Sequence, residues 1–127
     1  KGFVFPTIVH PNAVVASDAS LGPGAQVMAG AVVQTGTTLA KNVVVNTGAS
    51  VDHDCSIQAH AHVGPGATLS GGVMVCRGAH IGTGATAIQN VEIGTESTVG
   101  AGAVVIEDVA PNTTVVGTPA RNISRRQ

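Results

Sequence analysis

Asp52, His53 and Asp54 stand side by side in a chain of 127 residues of which only 10% are charged. An imidazole beside a carboxylate is what a general base needs near neutral pH. The carboxylate orients the ring and raises its basicity, and the other ring nitrogen takes a proton from a reacting group. Both aspartates also suit a tight turn, Asp52 more plainly than Asp54. No turn asks for an imidazole, so His53 is the residue that points to chemistry. Four further histidines, His10, His60, His62 and His80, and two cysteines, Cys55 and Cys76, complete the set of reactive candidates.

A six-residue repeat must position all of them. From Val9 to Val105 every sixth residue is Val, Leu or Ile, except Ala87. The fifth position of each hexad is small throughout, from Ala13 to Val109. The fourth is Gly, Asn or Asp at fifteen of seventeen sites, and these residues tolerate positive φ. Pro11, Pro23 and Pro65 fall at third positions, each followed by Asn or Gly, the central pair of a type II turn. Each hexad therefore reads as a turn at positions three and four, then a short extended segment. In that segment positions five and one face inward and position six faces outward. Short strands turning in one sense make a coil, and coils stacked ~4.8 Å apart make a parallel β-helix.

Three hexads per coil predict an all-β triangular prism of five to six coils over residues 9–110. Residues 1–8, which hold both phenylalanines, read as a lead-in segment covering the first coil. Residues 111–127 leave the repeat; Val115 and Val116 are placed to cap the open end, and the basic tail is expected to fray. In this register His53 sits at a turn tip and His60 in a turn, while His10 belongs to the first coil. His62 and His80 are both sixth-position residues, so they point outward and stack on one flat face. Of these four, His62 is the first candidate to line a site with His53. Cys55 falls on the inward position and reads as core, and no base stands beside Cys76 in sequence to activate it.

Composition excludes several classes. Net charge is −1 with no basic stripe, which argues against nucleic acid as a partner. No apolar run approaches the ~20 residues that span a membrane, and no secretory signal is visible. Two cysteines make no disulfide framework, so a cytoplasmic protein is expected. The chain starts with Lys1 rather than Met and reads as a piece of a longer protein. Val14, Val32, Val44 and Val104 all point outward, as on prism faces packed between subunits.

The run NTGASVDHDCSIQAHAHVGPGATLSGGV, residues 46–73, resembles the catalytic segment of the sugar acetyltransferases of the sialic-acid O-acetyltransferase and bacillosamine N-acetyltransferase group. The likeness continues through IGTGATAIQNVEIG and VGAGAVV and ends in VVGTPAR, covering nearly the whole chain. It implies a left-handed β-helix, a winding that hexads alone do not decide and that breaks the usual right-handed crossover preference. It also implies direct acetyl transfer from acetyl-CoA, with no metal, to a sugar amine or hydroxyl, most nearly a nucleotide-linked 4-amino sugar. By the resemblance His53 is the general base and Asp54 hydrogen-bonds it. His62 helps place the acetyl group, the Gly71 N–H donates to the thioester oxygen, and Asn46 is a candidate substrate contact. The family acts as a homotrimer with acetyl-CoA in the groove between two prisms. It also carries an N-terminal nucleotide-sugar-binding α/β domain, and this chain begins where that domain would end.

Two other readings compete. A γ-class carbonic anhydrase shares the prism but needs two histidines five residues apart, and no pair here has that spacing. A non-catalytic β-helix scaffold is the other, since fold does not fix function; an ice-binding prism would want an unbroken threonine ladder, whereas the column Ser50, Thr68, Thr86 runs into Val14, Val32 and Val104.

Overall fold

The computed structural model describes residues 5–123. Every hexad from Ile8 to Val105 folds as a two-residue strand at positions six and one, followed by a turn. The strands stack into three parallel sheets, the three flat faces of a prism. The first face runs Ile8–Val9, Gln26–Val27, Val44–Val45, His62–Val63, His80–Ile81 and Thr98–Val99. The second runs from Val14–Val15 through Ser50–Val51 and Thr68–Leu69 to Val104–Val105. The third runs from Ser20–Leu21 through Ser56–Ile57 to Glu92–Ile93, and Val109 bridges to Ile93 to complete it. Each residue pairs with the residue one coil away at the same hexad position, as Val45 with Val63 and Val63 with Ile81. The register expected from the repeat is therefore the register of the sheets.

Packing explains why the hexad is so restricted. Position-one side chains such as Val51, Val63 and Leu69 and position-five side chains such as Ala49, Ala61 and Ala67 are wholly buried. Three faces converge on one axis, so position one carries a branched residue and position five nothing larger than valine, as Val45 beside Val43 and Val75 beside Val73. Ala87, the single departure at position one, is buried like its neighbours. Cys55 is buried as expected, its thiol donating to the Ser70 carbonyl oxygen at 3.2 Å.

The turns differ from the expectation at the ends. Fourth-position residues are left-handed through the middle of the stack, including the two that are neither Gly, Asn nor Asp, His60 (φ 65°) and Glu96 (φ 58°). Asn12, Asp18 and Asp108 are not among the positive-φ residues. At most turns inside the stack the fourth-position N–H donates to a carbonyl of the coil beneath, as Asp54 N–H does to Thr35 O at 2.9 Å, whereas Gly36 N–H goes to Asp18 Oδ1 at 3.4 Å. The first coil has nothing beneath it, and Asn12 N–H turns to His10 Nδ1 at 3.0 Å instead.

The ends also fall outside the regular stack. Ile8 already pairs with Gln26, within the stretch expected to be a lead-in, and Phe5 is exposed. Val9 is exposed, and Val15 and Leu21 are only half-buried, so the first coil's core is open. At the other end the coil shortens: Val115, not Gly117, stands above Val99. Val115 enters the core, while Val116 turns out against Gly100. Gly117 and the cis Thr118–Pro119 bond then reverse the chain, and Arg121–Asn122 pairs antiparallel with Val115–Val116. Residues 1–4 of the lead-in and the tail over 124–127 lie outside the described residues.

Leu69 is fully buried at the centre of the stack. Leu69→Ala is expected to lower the unfolding free energy by about 2–5 kcal/mol, read from urea denaturation followed by circular dichroism.

Candidate active site

His53 projects from the corner that joins the second face to the third, between Ser50–Val51 and Ser56–Ile57. Two contacts fix the turn. Asp52 Oδ1 accepts the His53 backbone N–H at 2.7 Å, which is the turn-capping use of an aspartate. Asp54 holds a left-handed φ of 58° and brings its Oδ2 within 3.0 Å of His53 Nδ1. A carboxylate only accepts, so the proton of the neutral ring sits on Nδ1 and the lone pair on Nε2. The hydrogen bond from the ring to Asp54 raises the His53 pKa above its ordinary 6.5; partial desolvation opposes the rise, and the charges of Asp52 and Asp54 add to it. The side chains of both members are largely exposed, 58% for His53 and 68% for Asp54, so solvent screens the pair.

His53 Nε2 lies against Gly71, one coil above. A Cβ on residue 71 would collide with Nε2, and it would meet Cε1 at 2.5 Å and Cδ2 at 3.0 Å. Beside Gly71 is an open depression of about 460 Å³ lined by Asp52, His53, Ser70, Gly71, Gln89 and Asn90. The Gly71 carbonyl accepts from Asn90 N–H at 3.0 Å, but the Gly71 N–H has no protein acceptor among the described residues. A lone-pair nitrogen and an unused amide donor thus border one solvent-open space. Gln89 and Asn90 were not anticipated from the sequence. Gln89 occupies the same turn-tip position two coils above His53, and stepping the coil length twice along the chain would have found it.

Asn46 and His62 form a second group. His62 is half-buried on the first face, with Nε2 at 3.1 Å from Asn46 Nδ2. Asn46 Oδ1 is already taken by the Thr47 N–H at 2.7 Å. The amide NH₂ is therefore the donor toward His62, which must accept on Nε2 and carry its proton on Nδ1. Burial pushes the His62 pKa down, and neighbouring His80 adds to this. The two rings meet edge to face with centroids 4.7 Å apart. His62 is thus held neutral, with Nδ1–H as its one donor. His60 lies at the corner between the third and first faces, near Asn42 Nδ2 (3.4 Å), and His10 is in the first coil.

The two groups do not meet within one chain. The corner bearing His53 and Gly71 is opposite the first face, which carries His62 with Asn46 at its edge. Each prism therefore presents two half-sets on opposite sides. Neither cysteine offers an alternative nucleophile: burial pushes both thiols up, and Glu92 beside Cys76 pushes that one further. Among the described residues no group of three or more His, Cys, Asp or Glu is arranged to hold a metal ion. Nor is any helix long and apolar enough to cross a membrane.

Known structures share this prism. The acetyltransferase domain of PglB from Neisseria gonorrhoeae is 46% identical over 96% of this chain and 60% of that one, with a TM-score of 0.95, and is also known in complex with acetyl coenzyme A. By sequence and fold, the chain resembles the hexapeptide-repeat sugar acetyltransferases. PerB from Caulobacter crescentus, in complex with CoA and GDP-perosamine, is 41% identical over 96% of this chain and 59% of its own, with a TM-score of 0.95. WeeI from Acinetobacter baumannii is 31% identical over 89% of this chain and 56% of its own, at a TM-score of 0.82. The chain thus spans about three-fifths of the length of these relatives. A hexapeptide transferase family protein from Anaplasma phagocytophilum shares the fold alone, at 21% identity and a TM-score of 0.66. The winding of the β-helix is accordingly left-handed. No family model matches the chain, and no curated protein does.

Asp54→Asn is expected to lower the His53 pKa, measured by NMR titration of the imidazole carbon resonances. The folded pKa is raised, so the stability that Asp54 lends through His53 is full below the unfolded value near 6.5 and disappears as pH rises through the folded value. Asp54→Asn should therefore reduce stability at acid pH and leave this contribution unchanged at alkaline pH.

Proposed function

We propose that this prism is the acetyl-transferring part of an enzyme that moves an acetyl group from acetyl-CoA to the amine of a nucleotide-linked amino sugar. The carrying observation is the Asp54–His53 pair, its Nε2 lone pair facing the open space over Gly71 beside an amide donor without an acceptor. The relatives with acetyl coenzyme A, or with CoA and GDP-perosamine, support the two substrate classes. An amine is preferred over a hydroxyl because a perosamine nucleotide is the acceptor named with PerB.

In this reading His53 Nε2 takes a proton from the acceptor nitrogen as that nitrogen bonds to the acetyl carbon. The Gly71 N–H donates to the carbonyl oxygen as negative charge develops there, and a donor of this kind typically supplies about 2.7–4 kcal/mol. The C–S bond breaks, CoA leaves as a thiolate, and the proton on His53 neutralises it. Asp54 keeps Nδ1 protonated, so that Nε2 is always the atom that titrates. His62, donating from Nδ1–H, and Asn46 act from a second prism, because their own face is turned away from their own His53. The half-buried outward valines Val32, Val44 and Val104 suit packing between prisms, and a closed homotrimer of triangular prisms would complete every site. Recognition of the nucleotide is assigned to an α/β domain preceding the prism of residues 9–110, with 111–127 as its cap. Free, buried Cys55 and Cys76 suit a reducing compartment, the cytoplasm.

The test is CoA thiol release from acetyl-CoA with nucleotide-linked amino sugars as acceptors. His53→Ala should reduce kcat/KM by about 10²–10⁴-fold, as expected for loss of a general base. Because the neutral ring is the active form, kcat/KM should rise with pH through the raised His53 pKa, and Asp54→Asn should move that limb to lower pH. Unchanged turnover in His53→Ala would remove the assigned base. Mixing His53→Ala with His62→Ala chains by co-expression should restore part of the activity that each lacks alone. No recovery would mean that the two histidines serve one site within a single chain, or that His62 serves none.

A further inference from the structure

The acid of the pair, Asp54, rests on the coil beneath it, and the residue there is Gly36. When Asp54 Oδ2 reaches His53 Nδ1, its other oxygen, Oδ1, is directed into the space a side chain at position 36 would fill. A Cβ built on Gly36 collides with Oδ1 and lies 3.1 Å from the carboxyl carbon. The backbone leaves no room to move away, because Asp54 N–H is tied to Thr35 O at 2.9 Å. The turn below is itself anchored: Asp18 accepts from the Thr35 hydroxyl at 2.7 Å through Oδ2 and from Gly36 N–H at 3.4 Å through Oδ1. The same backward lean recurs at other turns, with Asn90 over Gly72 in the same corner column and Asn42 over Gly24 and Glu96 over Gly78 in the column between the third and first faces. At 48, 66, 84 and 102, by contrast, a Cβ would meet nothing within 4 Å. Those glycines serve only their left-handed backbone, whereas Gly36 has a second task.

We propose that Gly36 is a positioning residue for the His53–Asp54 pair, its missing side chain being the seat that lets the Asp54 carboxylate reach the imidazole. The catalytic consequence rests on the acetyl-transfer reading above; the geometric one does not. The charged groups around the ring are few: Asp52 and Asp54 on its own turn and Asp18 two coils beneath, while the residues facing it from above, Ser70, Gly71, Gln89 and Asn90, carry no charge. A change in the titration of His53 on altering residue 36 therefore reports on the Asp54 contact.

The experiment compares Gly36→Asn with Gly84→Asn in the full chain, reading the His53 pKa by NMR and stability by urea denaturation. Asparagine already holds this turn position at positive φ at Asn42 and Asn90, so both variants keep the turn and add the same side chain. Gly36→Asn is expected to drop the His53 pKa toward its value in Asp54→Asn, while Gly84→Asn leaves it at the wild-type value. If Gly36→Asn leaves that pKa unmoved, Gly36 serves only its backbone and the proposal is overturned. Should Gly36→Asn fail to fold, Gly36→Ala with Gly84→Ala repeats the comparison. No acetyl-CoA is needed for this reading, so a shifted pKa upholds the seat whether or not the transferase function holds.

Discussion

Every feature of this molecule depends on one constraint: each turn must hand its backbone N–H to the coil beneath. That donation, as from Asp54 to Thr35 or from Gly48 to Ala29, joins corners where no strand ladder runs. It requires a left-handed residue at the fourth position, and it repeats only if every coil has the same length. Where the coil beneath is missing, at Asn12, the turn changes its geometry. Where the coil shortens, at Val115, the stack ends and the chain turns back on itself. The small and branched residues inside follow from the same regularity, since a constant coil leaves a constant cross-section to fill.

A stack of identical corners is also a way to build a site. Residues one coil length apart lie over one another, so a turn-tip histidine faces whatever occupies the turn tips above and below. Around His53 those neighbours have been pared away: Gly71 above leaves the ring its open side, and Gly36 beneath leaves room for the Asp54 carboxylate. The corner column between the first and second faces, with glycines at 48, 66, 84 and 102, is also bare but borders no base. What distinguishes the His53 corner is the combination of one imidazole, one acid and the gaps around them.

The two histidines assigned to the proposed site have their pKa values shifted in opposite directions. His53, exposed and beside a carboxylate, has its pKa raised, whereas His62, half-buried beside a second imidazole, has its pKa lowered. Both carry their proton on Nδ1, because Asp54 accepts from one and Asn46 donates to Nε2 of the other. The same tautomer therefore presents a lone pair at one and an N–H donor at the other, which suits one to take a proton and the other to hold a carbonyl.

The hexad by itself determined the prism, the register of every face and the inward or outward direction of every side chain. Hydrophobic period and turn chemistry are local properties repeated along the chain, so they are written in one dimension. It also marked His53, because an imidazole at a turn tip answers no need of the fold. Handedness was not legible in the hexads, since a left and a right coil bury the same positions; it came from likeness to known proteins. The tertiary structure alone decided the rest. It put His53 Nε2 against Gly71 and seated Asp54 on Gly36. These are contacts between residues in neighbouring coils. They depend on how far a side chain leans along the stack, and the spacing of residue types in the chain does not record that.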